Sequence, residues 1–208
     1  MILSFDTSTR AFSVSLLEMD ERVDLEIVRK SFHSQEIVGI VDFLFNCTGS
    51  TIRDIEEIYA GLGPGSFTGI RVGLSFANTL SETLDIPLAG IPSLDLLAFG
   101  SGRWYNSVIS FIRSRKNEVY AALYRKGERV GSYRALEKID FAQFIDQEDP
   151  DCIVASLEDF LDLQMEGACE GREIVHSFPR ARDALPLAQL SGLRPEKKYL
   201  TPLYVRNI

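Results

Sequence analysis

The stretch Gly61-Leu62-Gly63-Pro64-Gly65-Ser66-Phe67-Thr68-Gly69-Ile70-Arg71-Val72-Gly73 stands between a short apolar run, 58–62, and a long amphipathic one from 67 to about 83. The first run reads as a strand, the second as a helix, and the glycines as the turn that joins them. A glycine-rich turn entering a helix N-terminus can bring backbone N–H groups to an anion. This one lacks the Lys-Ser/Thr ending of a P-loop and is not GxGxxG. Its glycines would serve equally for a tight turn and close helix packing. Residue types alone leave both readings open.

Working outward toward the amino terminus, residues 2–6 form an apolar run, and Phe12, Val14 and Leu16 alternate with Ser13 and Ser15. These predict a buried strand followed by a half-buried one, and 23–31 supplies a third in a meander. Ser34 is placed as the N-cap of a helix running to about Thr48, with Gly49 as its stop. Thr51-Ile52-Arg53-Asp54 resembles a capping box opening a short helical turn. The order is βββαβα, with Asp85 and Pro87 closing the last helix. The second half repeats it more faintly. Strands are expected at 108–112, 119–125 and 130–133, the last two joined at Lys126-Gly127. A helix around 141–145, a strand at 152–155 and a late helix at 180–190 complete the repeat, with loops at 146–151 and 164–172. One supersecondary order recurring after roughly a hundred residues predicts a duplicated α/β chain. The expected lobes are 1–102 and 103–208, dividing near 100–103.

Bulk properties narrow the function classes. The chain has 208 residues, 45% hydrophobic and 25% charged, an ordinary balance for a protein with a core. Its net charge of −8 repels phosphate backbones, so nucleic acid is expected to be held only through a more basic partner. Cys47, Cys152 and Cys169 are odd in number, far apart and without a CxxC pair, as expected in a reducing cytosol. The opening Met1-Ile2-Leu3-Ser4-Phe5-Asp6 has no basic n-region, so no secretory signal is expected. The apolar stretch 37–45 contains Asp42 and is too short to span a bilayer. A soluble, cytoplasmic protein is the expectation.

Several segments together resemble the bacterial TsaB (YeaZ) family. They are Asp6-Thr7-Ser8-Thr9, His33-Ser34, the run from Gly63 to Gly73, Ile91-Pro92-Ser93-Leu94-Asp95-Leu96-Leu97-Ala98, Glu118-Val119-Tyr120 and the tail Pro202-Leu203-Tyr204-Val205-Arg206. The resemblance is dense over 1–100 and thin beyond about 133. It implies the two-lobed actin/hexokinase-like (ribonuclease H-like) fold, in agreement with the duplicated βββαβα order. It implies a non-catalytic scaffold that pairs with the metal-dependent catalytic paralogue TsaD and supports threonylcarbamoyl transfer to adenosine in tRNA. It also implies recruitment of the ATPase TsaE, a homodimer when isolated, and tRNA contacts only through the complex. ATP and a metal would belong to the complex, with no cofactor held stably by this chain. Two departures stand out. A stretch often reading Asp-Ala-Arg is Arg113-Ser114-Arg115, so any role of that Asp is lost, and the second lobe is short.

The residues weigh against an enzyme. Two His at i and i+4 share a helix face and can share one ion, the pattern by which the paralogue is expected to hold its metal. The corresponding stretch here, 91–98, carries Ser93, Leu94 and Asp95 and no His. The two histidines, His33 and His176, are distant in sequence; turn or capping chemistry suits His33 better than metal binding. Asp6 ends the first strand, where the resemblance implies a place near Mg-phosphate. Asp6, Thr7 and Ser8 are therefore the possible nucleotide contact, against the alternative of a hydrogen-bonded turn. Ser8 occupies the place of a phosphate-approaching glycine. The rival functions, a small-molecule phosphotransferase and a metallopeptidase, lack that glycine and the metal ligands respectively.

A partner surface is expected on the first-lobe helices. Stepping ~100° per residue, Ile37, Ile40, Val41, Leu44 and Phe45, with Val38, Phe43 and Cys47, cover ~220° of the wheel, where one packed face needs about 100°. Leu74, Phe76 and Leu80 do the same on the next helix, with Arg71, Ser75, Asn78 and Glu82 opposite. Gly69, Gly73 and Ala77 form a small-residue stripe at i, i+4, i+8 that would admit another helix. Burial of both faces within the monomer is the alternative.

Overall fold

The computed structural model describes residues 1–19, 21–28, 34–102, 104–164 and 167–205, without the side chains at 34–35. Expectations for His33, the end of the third strand at 29–31 and Arg206 fall outside these residues, as does the capping side chain of Ser34. The chain forms two compact units, Met1–Ser93 with Pro179–Leu203, and Leu94–Phe178 with Tyr204–Ile208. The division therefore comes at Ser93 rather than near 100–103, and the chain returns to the first unit late.

In the first unit β1 (Ile2–Asp6), β2 (Ala11–Glu18) and β3 (Glu21–Val28) form the expected meander. After α1 (Ser34–Thr48), β4 (Glu57–Gly61) and β5 (Leu88–Ile91) join in the order β3-β2-β1-β4-β5. β4 runs parallel to β1 and leads into α2 (Phe67–Leu84). Leu3, Phe5, Val14, Leu16 and Ile58 line one face of the sheet and pack with Ile37, Val41, Leu44, Ile70 and Leu74 of the two helices. The other face was expected to meet water at Ser13 and Ser15. Instead Ser4, Ser13 and Ser15 are all buried. Ser4 and Ser15 are cross-strand partners on that face. It is covered by a 3-10 turn, Ala181–Asp183, and by α6 (Ala184–Ser191), and the Ala181 N–H donates to Ser13 Oγ at 2.8 Å. Small hydroxyl side chains let that covering backbone come close and accept from it.

The late helix thus completes the first unit, not the second. Its tail is fastened there: Asn78 donates from Nδ2 to Leu200 O (3.0 Å) and accepts from Leu200 N (2.8 Å). Asn78, expected on the polar side of α2, is a buried clamp.

The second unit repeats the strand order as β10-β9-β6-β7-β8, from β6 (Ser107–Arg115), β7 (Glu118–Arg125), β8 (Glu128–Glu137), β9 (Cys152–Ala155) and β10 (Glu173–His176). Lys126 and Gly127 both have positive φ, the two-residue turn that matches the strand twist of a hairpin. α4 (Lys138–Glu148) and α5 (Leu157–Leu163) cover one face through Phe141, Phe144, Ile145, Phe160 and Leu163. The opposite face holds α3 (Ser93–Gly102), whose Leu94, Leu97 and Ala98 pack on Val108, Ile112, Tyr124 and Val154. β5, α3, α5 and β10 were absent from the sequence reading. The α/β class and the duplicated order hold as expected, each unit taking the helix over its second face from the other half of the chain.

Candidate functional site

The polar residues at the end of β1 fold into a closed hydrogen-bonded node. Asp6 Oδ1 accepts from Ser8 N (2.8 Å) and Ser8 Oγ (2.6 Å), and Oδ2 accepts from Ser93 Oγ (2.6 Å). Ser93 Oγ in turn accepts from Gly63 N at 3.1 Å. The carboxylate is 0% exposed. Burial pushes its pKa up from the ordinary range, and the hydrogen bonds from Ser8 and Ser93 pull against that shift. Thr7 and Ser8 are buried as well.

The glycine run is fitted to this node. A Cβ on Gly61 would overlap Asp6 Oδ2, and one on Gly73 would overlap Thr7 Oγ1. Thr7 Oγ1 donates to Gly69 O (2.8 Å), and Ser66 N donates to Ser8 O (2.6 Å). Ser66 caps α2, its Oγ accepting from Gly69 N at 3.2 Å. Several loop N–H groups that an anion could have used are therefore engaged by the chain itself. Between the two readings of the glycines, close packing is the one the geometry favours.

This geometry changes the expected partner surface. Ile37, Val41, Leu44, Phe45, Leu74, Ala77 and Leu80 are buried in the first unit's own core, and Gly73 faces Thr7. Ile40 and Phe76 are half-buried against the same core. Gly69, also half-buried, would meet Thr7 O. The small-residue stripe receives the β1–β2 turn rather than a foreign helix. The wide apolar arcs are consumed because each helix packs on the sheet and on its neighbour. What remains outward is Val38 and Phe43 on α1 and Phe67 on α2, each more than half exposed. The Arg71 guanidinium lies 3.9 Å from the Phe67 ring centroid.

A second cluster escaped the sequence reading. Asp95 accepts from Tyr124 OH at 2.6 Å on Oδ1 and from Tyr133 OH at 2.8 Å on Oδ2. Arg129 lies 3.9 Å from Asp95 Oδ1 and stacks over Tyr133. Burial and the neighbouring carboxylate raise the pKa of both tyrosines, so both stay protonated donors. The cluster fastens α3 to β7 and β8. The pairing could not be read in advance because the β7–β8 register shifts between Ala121 and Leu123.

Arg113 pairs with Asp162 of α5, and its N–H donates to Asp159 Oδ2 at 3.2 Å. His176 stands edge-on to Phe160, ring centroids 5.4 Å apart. Among the described residues, no three His, Cys, Asp or Glu are grouped to hold a metal ion. Two clefts in the first unit, about 370 and about 500 Å³, are lined by Met1, Leu16 and Val23 and by Ile2, Tyr59 and Leu185. Neither includes Asp6 or the glycine run. Among the described residues, no helix is long and apolar enough to cross a membrane.

Residues 27–148 match the family described as TsaD: tRNA N6-adenosine threonylcarbamoyltransferase. A Bacillus subtilis protein named tRNA threonylcarbamoyladenosine biosynthesis protein TsaB is 36% identical over 126 residues, 60% of this chain and 55% of that one. A Buchnera aphidicola (Acyrthosiphon pisum) protein of the same name is 25% identical over 206 residues, 96% and 93% of the two chains. The chain belongs to the TsaB/YeaZ family. It spans about half the length of the Bacillus and Escherichia coli relatives it matches. A solved structure described as an uncharacterized protein with similarity to peptidase YEAZ from Pseudomonas aeruginosa superposes with a TM-score of 0.81. It is 27% identical and covers 99% of each chain.

Proposed function

We propose that this chain is a non-catalytic subunit in the making of threonylcarbamoyladenosine in tRNA, acting by docking on a metal-dependent catalytic paralogue of the TsaD kind. The names of its relatives support the pathway. The observation that carries the non-catalytic reading is the Asp6 node: the one carboxylate placed like a superfamily catalytic group is buried and hydrogen-bonded inside its own turn. A phosphotransferase would need that carboxylate open to Mg-phosphate. ATP, the metal and tRNA are then contacts of the assembled cytoplasmic complex, which includes the ATPase TsaE. The docking face is the outward side of α1 and α2 at Val38, Phe43 and Phe67, and the isolated chain pairs with itself through the same face.

The test uses the full chain with and without its catalytic partner. Alone it should give no threonylcarbamoyl transfer. Val38→Asp with Phe43→Asp should melt like the parent, since both side chains already meet water, yet lose partner binding and complex activity by at least tenfold, about 1.4 kcal/mol. Turnover by the isolated chain, or full activity from the double variant, would overturn the reading.

A further inference from the structure

The first unit's helices α1 and α2 carry Glu36, Asp42 and Glu82 against Arg71, and the second unit's helical side is far more acidic. Between Glu137 and Glu173 carboxylates far outnumber the two cations, Lys138 and Arg172, although the whole chain carries only −8. Some of that charge is spent locally. Arg113 pairs with Asp162, Arg125 with Glu148, and Arg172 with Asp146 and Asp149. Asp140, Glu158 and Glu170 make no ion pair among the described residues.

Leu157 and Leu161 are each about half exposed, and lie one turn apart on α5, hence on one face. Ile139, about two-thirds exposed, projects from α4, which covers the same side of the sheet. Exposed leucines at i, i+4 beside unpaired carboxylates are a surface to be covered by something apolar and cationic. An RNA or an anionic membrane is repelled by this charge, and a second copy would bring the same carboxylates against themselves.

We infer that the outward face of α4 and α5 docks a protein segment with an apolar ridge flanked by lysine or arginine, separate from the partner on α1 and α2. Attraction across such a face speeds encounter and selects against acidic partners, while the leucines supply the buried contact. This second surface does not depend on the identity of the first partner.

Two designed amphipathic peptides of about 16 residues serve as probes, one with leucine and lysine, the other with leucine and glutamate. Each is titrated against the full chain, with amide hydrogen exchange recorded on the complex. The cationic peptide should bind and the anionic one should not. Protection should appear at α5, and binding should weaken between about 50 and about 300 mM salt. Leu157→Ser with Leu161→Ser should leave the melting temperature within a few degrees and weaken binding at least tenfold. Should that variant melt early, Asp140→Asn with Glu158→Gln carries the test, again with a tenfold loss expected. Equal binding of both peptides, protection elsewhere, or an undiminished affinity in the leucine variant when it is folded would overturn the inference. The last result would mean attraction by net charge alone.

Discussion

The two units are built on one plan and finished by different means. Each has a three-strand meander, a parallel fourth strand and a helix capped by serine: Ser66 accepts from Gly69 N, and Ser156 accepts from Asp159 N. The first unit then draws its capped helix down onto the β1–β2 turn, so closely that Thr7 lies against Gly69 and Gly73. In the second unit the β6–β7 end is tied to α5 by charge, through Arg113 to Asp162 and the Arg113 N–H to Asp159. Close approach demands glycine at fixed positions, whereas a partly exposed ion pair tolerates much. The glycine run that carries the family resemblance therefore lies where the packing is tightest, and the corresponding tie in the second unit is one whose contacts are replaceable.

The helix exchange offers the most drastic way to break this comparison. A chain ending at Phe178 lacks the 3-10 turn, α6 and Leu200, which uncovers Ser4, Ser13 and Ser15 and removes a buried side chain from the first core. That chain should lose the cooperative unfolding of the first unit altogether. A fragment of residues 94–178 keeps α3 on its sheet and should melt cooperatively, while 103–178 should not. Circular dichroism melts and amide exchange decide it. A stable fragment 1–102 would mean that the halves of the sequence, not the exchanged units, are the folding bodies.

At the next scale, Gly73→Ala sets a Cβ against Thr7 Oγ1 and is expected to cost ~1–3 kcal/mol, as overpacking does. Arg113→Ala, which breaks the tie in the second unit, should cost about 1 kcal/mol or less because both partners are partly exposed. Denaturant melts of the two variants compare the devices directly. If Arg113→Ala proves the more costly, the charge tie is as demanding as the glycine seat and the contrast drawn between the two units is wrong.

Much of this was legible beforehand, and the failures have physical causes. The periodic segments gave α1 and α2 almost to the residue, and Thr51 and Asp54 form their box, with Thr51 N donating to Asp54 Oδ2 at 2.8 Å. Leu88–Ile91 was missed because it follows Pro87 directly and carries Gly90, and Glu173–His176 because only two apolar residues stand between Glu and His, whereas the equally short Cys152–Ala155 is apolar throughout. Ser13 and Ser15 misled because a hydroxyl under a covering helix looks, in sequence, like one facing water. The breadth of apolar surface on α1 and α2 was read correctly, but its destination was not. A wheel records how much of a helix is apolar and is silent on whether its own chain or another covers it. Asp95 was passed over because its partners, Tyr124 and Tyr133, come from a hairpin whose bulge hides their alignment.

The smallest expected effect concerns Asp6, and its sign is the informative part. Among the described residues the Asp6 carboxyl is hydrogen-bonded by Ser8 and Ser93, and burial raises its pKa above the ordinary 3.8 while those hydrogen bonds pull against the rise. The unfolded chain then releases this proton at a lower pH than the folded chain does. Between the two pKa values the folded state binds more protons, so through this group stability falls as pH rises across that window. Asp54, exposed and hydrogen-bonded by Thr51, has its pKa lowered, first by the backbone N–H and then by the hydroxyl. Its contribution runs the other way, present above its unfolded pKa and lost as pH falls through the folded one. Asp6→Asn removes the first effect alone. At neutral pH the variant gives up a charge-assisted hydrogen bond and is relieved of a buried charge, so it should lie within about 1 kcal/mol of the parent. As pH is lowered toward about 4, the difference in melting should move in the parent's favour. Activity of the assembled complex should change by less than tenfold. A stability difference that is flat with pH would remove the buried charge from the account. A larger loss of ATP-dependent activity would return Asp6 to the phosphate, and the two units would then differ in chemistry as well as in packing.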